Sequence, residues 1–520
     1  MQWSPDGSAL AFVSSRNDHS FIGIYRNDST PIQFLAPATS QDIMPRWSPD
    51  GTRVAFIRLH GDGGAPQNPL NWNPTPWEIW TADASTGAAR QVWASTATPR
   101  GSLPQTGGGP FLAWTSGDTL VFRSEQDDWP HLYAISATAP GTARLLTPGN
   151  FMVEDAAVTP DRTSVVYSAN TGNTAGDDDR RHIFSVNVAT GHVTQLLSGA
   201  TSEWAPAPLA GGNVAFARAT AGQPPLVALL FGGTQPALDV KLLPSDFPSS
   251  SELATPEEVS FHAADGRLIH GTLFLPIGGG KHPAVVFVHG GPPRQMLLTW
   301  HYMDYYSNAY AVNQYLASRG FVVLSVNYRL GIGYGHDFNF PPQWGPTGAS
   351  EYRDVLAAAR FLQRHPNVDP KRIGIWGGSY GGYLTALALA RNSDIFKAGV
   401  DFHGVHDWSL DIDDPLFGFT QRKRYQQYDT KAIMKLAWES SPDSAIATWK
   451  SPVLLIQGDD DRNVEFHQMV DLVERLRAAH VPFEQIVIPN EIHGFFRYAA
   501  WLQADSATVE YLTRQLHPTP

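Results

Sequence analysis

The sequence predicts two domains of different class, an N-terminal all-β propeller followed by a C-terminal α/β domain, and three observations predict it. Trp3-Ser4-Pro5-Asp6-Gly7 recurs as Trp47-Ser48-Pro49-Asp50-Gly51 in the first half. Gly377-Gly378-Ser379-Tyr380-Gly381 joins an apolar run to a helix-forming run in the second. Downstream, the apolar runs Ser451 to Gly458 and Phe483 to Pro489 each end in a loop that carries an acid or a histidine.

The first-half repeat continues loosely as Trp114-Thr115-Ser116-Gly117-Asp118 and Val158-Thr159-Pro160-Asp161-Arg162, with a worn fifth copy from Trp204 to Phe216. A short alternating strand follows in each block, for example Ala11-Phe12-Val13, Val54 to Ile57, Leu120 to Phe122 and Val165 to Tyr167. Aromatic strands come next at Ile24-Tyr25, Ile79-Trp80, Leu132-Tyr133 and Ile183-Phe184, and most lead on through a turn glycine at Gly87, Gly141 or Gly191. Four strands in two hairpins at this period describe a propeller blade. Pro-Asp-Gly suits the turn because proline presets the first central residue and glycine accepts a positive φ.

About five blocks are visible over residues 1–245, and the first begins almost at Met1. Residues 246–256 read as a linker, Ser- and Pro-rich at its start, and residues 257–520 as the second domain, opening on a hairpin from Glu257 to Pro276. Composition agrees with two ordinary globular cores: 520 residues, 42% hydrophobic and 17% charged.

In the second domain Pro283 to Val288 is an early strand whose end runs into His289-Gly290-Gly291-Pro292. Arg372 to Trp376 is the strand before Ser379, and Tyr383 to Ala390 the helix after it. Such a turn lifts a serine into strained angles at the strand end and leaves room only for glycine beside it, which makes Ser379 a candidate nucleophile. A serine nucleophile needs a base and the base an orienting carboxylate, in the order serine, acid, histidine for this kind of sheet. His493 is the candidate base. Among Asp459, Asp460 and Asp461, the third is favoured because it lies three residues past the turn glycine Gly458, while the other two suit capping of the turn and the next helix. The oxyanion donors expected are the backbone N–H of Tyr380 and that of Gly291. His289, His403 and His406 also lie near strand ends and read as structural hydrogen-bonding histidines.

His289-Gly290-Gly291-Pro292, Trp376 to Tyr383, Gly458 to Val464 and His493-Gly494 together resemble the prolyl oligopeptidase family of serine peptidases, in its acylaminoacyl-peptidase and dipeptidyl-peptidase-like branch. The resemblance covers the last half of the chain and implies an α/β-hydrolase domain behind a propeller of seven or eight blades. It falls on Asp461 as the acid, on Asn463 as a donor to a substrate carbonyl, and on Val405, Trp408 and Val464 as pocket lining, three apolar residues that core packing explains equally well. It also implies a propeller that admits short peptides, and a homo-oligomer. With about five blocks in view, the expectation is a chain lacking one or more N-terminal blades; a smaller propeller is the alternative.

Other classes are excluded or set lower. A net charge of −12 without a Lys/Arg cluster argues against nucleic acid. No run is long enough to span a bilayer. With no cysteine, disulfides, thiol catalysis and thiolate metal sites drop out. Histidines occur singly and no glycine-rich phosphate loop opens a helix, so neither metal nor cofactor is expected. No signal peptide is read at Met1, and the compartment, cytoplasmic or periplasmic, stays open. The leading function is peptide hydrolysis near the N-terminus, with a carboxylesterase or other acyl hydrolase on the same triad as the alternative and a non-catalytic propeller binding protein as the remote one. Glu125, Asp127, Asp128, Glu154 and Asp155 are available to meet a substrate amine, although surface solvation is the favoured role for each.

Overall fold

The computed structural model describes residues 1–16, 18–61, 72–104, 106, 108–232, 242–411 and 430–517. The described residues form two compact units. The first comprises those within Met1–Arg218, Val227–Asp239 and Gly333–Asp337, and the second those within Ala219–Leu226, Val240–Ile332 and Phe338–Pro520.

Within the first unit the repeated motif is a hairpin turn. Trp3 ends one strand and Leu10–Ser15 is the next; Ser40–Trp47 and Arg53–His60 stand in the same relation. Proline and glycine are not the whole mechanism. The Asp6 carboxylate accepts from the Ser4 hydroxyl at 2.6 Å and the Ser8 amide at 3.1 Å, while Ser4 Oγ accepts from the Ala9 amide at 2.9 Å. Asp50 and Ser48 repeat the arrangement, and Asp161 with Thr159 repeats it where the motif has worn. An Asx turn locked by a hydroxyl thus explains Ser/Thr-Pro-Asp. Gly7 and Gly51 take φ of 72° and 71°; Arg162 takes 60° without being glycine. Gly87 and Gly191 are also left-handed, whereas Gly141 is not.

Among the described residues five blade-like sets of strands follow one another, and the fifth shows three strands, Thr201–Pro208, Val214–Thr220 and Gln223–Leu230. A single parallel pairing, Ser20 with Gln41, joins the first two sets into one sheet. Between consecutive sets lie apolar layers. Ala11, Ile24, Val54 and Phe56 fill one, and Trp77, Trp93 and Phe122 fill the next, with Trp77 and Trp93 edge to face at 4.7 Å.

The second unit is built on an eight-stranded sheet. Its strands are β1 (Glu257–His262), β2 (Leu268–Phe274), β3 (His282–Val288), β4 (Val322–Asn327), β5 (Val368–Gly378), β6 (Phe396–Phe402), β7 (Val453–Gly458) and β8 (Phe483–Ile488). The order is β1-β2-β4-β3-β5-β6-β7-β8. β2 pairs antiparallel with β1 and β4, and every other pairing is parallel. All residues of β3, β4 and β7 are buried, as expected of parallel strands covered on both faces. The helices that matter for the site are α1 (Asp304–Ser318), α2 (Tyr352–Arg364), α3 (Tyr380–Arg391), α4 (His467–Ala478) and α5 (Tyr498–Leu516). Between the units' strands, residues 246–256 contain turns and coil only.

Candidate active site

β5 passes into α3 through a single residue, Ser379, whose φ of 60° and ψ of −122° no relaxed L-residue adopts. The surrounding glycines are there because backbone comes too close for anything larger. A methyl group on Gly377 or Gly381 would overlap the Val288 carbonyl oxygen at the end of β3, and one on Gly378 would overlap the Tyr305 hydroxyl. On the next loop, a methyl on Gly290 would lie 3.0 Å from Ser379 Cβ. The His289-Gly290-Gly291-Pro292 loop therefore abuts the serine, with Gly291 at φ 88°. The Ser379 amide donates to the Phe402 carbonyl of β6 at 2.9 Å, which ties the elbow to the neighbouring strand. α3 begins at Tyr380, and its first N–H groups have no intrahelical acceptor.

The candidate acid and the candidate base come from adjacent strands. Asp461 follows β7 and His493 follows β8, and Asp461 Oδ2 lies 2.7 Å from His493 Nδ1. The other oxygen, Oδ1, accepts from the Asn463 and Val464 amides at 2.9 and 3.1 Å. The carboxylate cannot swing away without losing both. Its side chain is fully buried, and that of His493 is 16% exposed. Asp459 and Asp460 have different tasks from the caps expected of them. Asp459 accepts from the Asn490 amide at 2.6 Å and so fastens the acid loop to the histidine loop, while Asp460 pairs with Arg462 in solvent.

His403 packs at a tilt against the candidate base. Its ring centroid lies 4.1 Å from that of His493, its Nε2 is 3.1 Å from the Tyr305 hydroxyl, and the same Nε2 is 3.3 Å from the position a Gly378 Cβ would occupy. His403 thus spans the space between the elbow and His493. Burial, and then the neighbouring imidazole, hold it well below the ordinary histidine range, so it is neutral. His289 is neutral too, pushed down to about 3 by burial and stacked on Tyr328 at 4.2 Å. His406 faces two buried acceptors and donates to both, Nε2 to Asp401 at 2.8 Å and Nδ1 to the Gln468 carbonyl at 3.0 Å.

Of the expected pocket residues, Trp408 packs on Tyr380 at 5.9 Å and on Tyr383 at 5.2 Å. Val405 and Val464 are buried, and Asn463 is exposed beside Asp461. His403, Asp461 and His493 bring ligand-type atoms within 4.8 Å of one another, an arrangement the Asp461–His493 hydrogen bond already uses. In the first unit Glu154 is engaged by Arg181 at 2.6 Å, both side chains being buried. That leaves it an internal ion pair partner rather than a solvated acid.

Sequence reasoning passed over Glu351, Tyr305 and Tyr328. Glu351 is fully buried and accepts from the Tyr380 hydroxyl at 2.7 Å. Burial pushes it up to about 7. In the sequence it is one acid at the start of an amphipathic helix, where acids are common for dipole reasons, and nothing local marks it out.

Residues 307–519 match the family model described as prolyl oligopeptidase family, and residues 78–215 match that of the dipeptidyl peptidase IV (DPP IV) N-terminal region. The chain is 33% identical over 220 residues to dipeptidyl aminopeptidase BIII of Pseudoxanthomonas mexicana, covering 41% of this chain and 30% of that protein. It is 28% identical over 257 residues to the uncharacterized peptidase YuxL of Bacillus subtilis (strain 168), covering 48% and 37%. These matches span about a third of each relative's own length. Among solved structures, a puromycin-hydrolyzing peptidase of Mycobacterium tuberculosis superposes with a TM-score of 0.78 at 21% identity, over 100% of this chain and 79% of the other, and thereby shows the fold, an N-terminal propeller and a C-terminal α/β-hydrolase domain. With both of its regions matched in chain order, the chain is similar to the prolyl oligopeptidase family, whose model covers residues 307–519.

Proposed function

We propose that the chain is a serine-type peptidase that hydrolyses short peptides through Ser379, His493 and Asp461, with an acyl-enzyme intermediate. The observation that carries this reading is the conjunction of a strained serine at the β5–α3 elbow with a buried carboxylate 2.7 Å from a histidine on the neighbouring strand ends. With Asp461 accepting from Nδ1–H, the lone pair of His493 is placed on Nε2, the tautomer a general base requires. His493 takes the Ser379 proton as Oγ attacks the scissile carbonyl, then returns it to the leaving amine. The amides of Tyr380 and Gly291 receive the oxyanion, and water, activated by the same histidine, releases the acyl group. Trp408, Val405 and Val464 would line the pocket for the residue before the cut, and Asn463 would hold a substrate carbonyl.

The relatives named as peptidases and aminopeptidases favour amides cut near a peptide N-terminus, of the acylaminoacyl or dipeptidyl kind. A carboxylesterase on the same three residues would need a different pocket, not a different mechanism. One experiment separates them: dipeptidyl and acetyl-aminoacyl p-nitroanilides run beside aryl esters of matched acyl groups, with Ser379→Ala as the blank. Peptidase activity predicts amide turnover above that blank by at least about a thousandfold. Turnover of esters alone would defeat the peptidase reading while keeping the triad.

A further inference from the structure

Glu351 is a buried acid. It precedes α2, its carboxylate is fully enclosed, and its partners are the Tyr380 hydroxyl at 2.7 Å and the Gly345 amide at 3.1 Å. Among the described residues no ion pair includes it. A carboxylate removed from water without a countercharge is costly, and a fold built for stability alone would put an apolar residue there. What it touches is therefore informative.

Tyr380 is the residue after Ser379, and its ring is confined on its sides by three aromatic neighbours. Tyr328 lies parallel at 6.3 Å, Tyr383 at 5.2 Å and Trp408 at 5.9 Å. Packing of that kind limits tilting. It does little to stop the ring sliding along its own long axis. That freedom is removed at the hydroxyl, which is held by Glu351 and abuts Gly345, where a Cβ would come within 2.8 Å of the oxygen. Gly345 sits at φ 39°, so the stop is backbone rather than side chain.

We infer that Glu351 is a positioning residue that acts through the Tyr380 hydroxyl to hold the Tyr380 amide against the developing oxyanion. The inference rests on the serine-hydrolase reading above. A hydrogen-bond donor aimed at a transition state loses its effect with displacements well under an ångström, so a bond at the far end of the ring bears on the rate although Glu351 touches no substrate.

The test compares E351L, E351Q, Y380F and the double variant E351L/Y380F in the full chain. Two ligands are used beside turnover. A peptide aldehyde forms a tetrahedral adduct with Ser379 and fills the oxyanion position; the matching peptide alcohol binds without bonding. E351L is expected to lose about ten- to a hundredfold in kcat and in aldehyde affinity, and to bind the alcohol within about twofold of wild type. E351Q, whose amide oxygen still accepts from Tyr380, recovers most of that loss. E351L/Y380F is no slower than Y380F. An E351L kcat equal to wild type, equal losses for aldehyde and alcohol, or multiplied losses in the double variant would each overturn the inference. If E351L does not fold, E351D carries the same comparison, since it keeps the charge and withdraws it from Tyr380 by one methylene. A wild type silent on every acyl substrate overturns the catalytic reading and this one with it. An active wild type beside an unimpaired E351L overturns this one alone.

Discussion

Replacing Asp461 by asparagine reverses the bond to His493, gives up a long one at 3.4 Å from the Gln457 side-chain amide to the same oxygen, and leaves the two backbone bonds in place. Its Oδ1 accepts from two backbone amides, at 2.9 and 3.1 Å, so the asparagine carbonyl must occupy that position and the amide NH2 must face His493. Nδ1 then has to accept. The imidazole turns to the tautomer with its proton on Nε2, and no lone pair is left for the serine. In serine enzymes this exchange costs about 10⁴ in kcat, on the order of 5 kcal/mol of transition-state stabilisation. Loop geometry should survive, because both amide bonds to the side chain do. The assay is kcat on a dipeptidyl p-nitroanilide, with thermal unfolding as the structural control and Asp460→Asn as the comparison. Asp460→Asn changes only a solvated ion pair with Arg462 and should stay within about twofold. If Asp461→Asn keeps more than about a tenth of wild-type kcat, Asp461 does not orient the base.

Two further outcomes follow from buried charge. Glu351 lies at about 7 against an ordinary 4.5, so between those values the folded state holds a proton that the unfolded state has lost, and stability falls as pH rises through that window. At about 1.36 kcal/mol per pH unit the fall reaches roughly 3 kcal/mol and levels off above pH 7; a thermal midpoint series from pH 4.5 to 8 should show it in wild type and show it flattened in E351Q. In the first unit, Glu154→Gln removes the carboxylate charge facing the buried Arg181 Nε and should cost about 3 to 5 kcal/mol, read as a lowered thermal midpoint of that unit. An unchanged midpoint would return Glu154 to the set of free acids.

The blade repeat was legible because each copy carries its own turn chemistry, and Asp6, Asp50 and Asp161 make that chemistry with bonds between residues two to five apart. Ser379 was legible for the same reason, since the strain at the elbow is answered by glycines within two residues. Asp461 could be chosen over its two neighbours by spacing and resemblance, but the different uses of Asp459 and Asp460 depend on Asn490 and on solvent, which no local pattern shows. Glu351 stayed hidden, and His403 read as a hydrogen-bonding histidine without its partners, because Tyr380, Tyr305 and His493 are far away in the chain. A buried glutamate and a surface one are written with the same letter.

The close approach of Gly377 and Gly381 to the Val288 carbonyl means that main chain, not side chains, fixes where the Ser379 hydroxyl stands. The wall around it is free to change without dragging the serine along. If the proposed pocket is right, libraries randomised at Val405 and Val464 would sample new selectivities around a constant serine, while even one added carbon at either glycine would displace it.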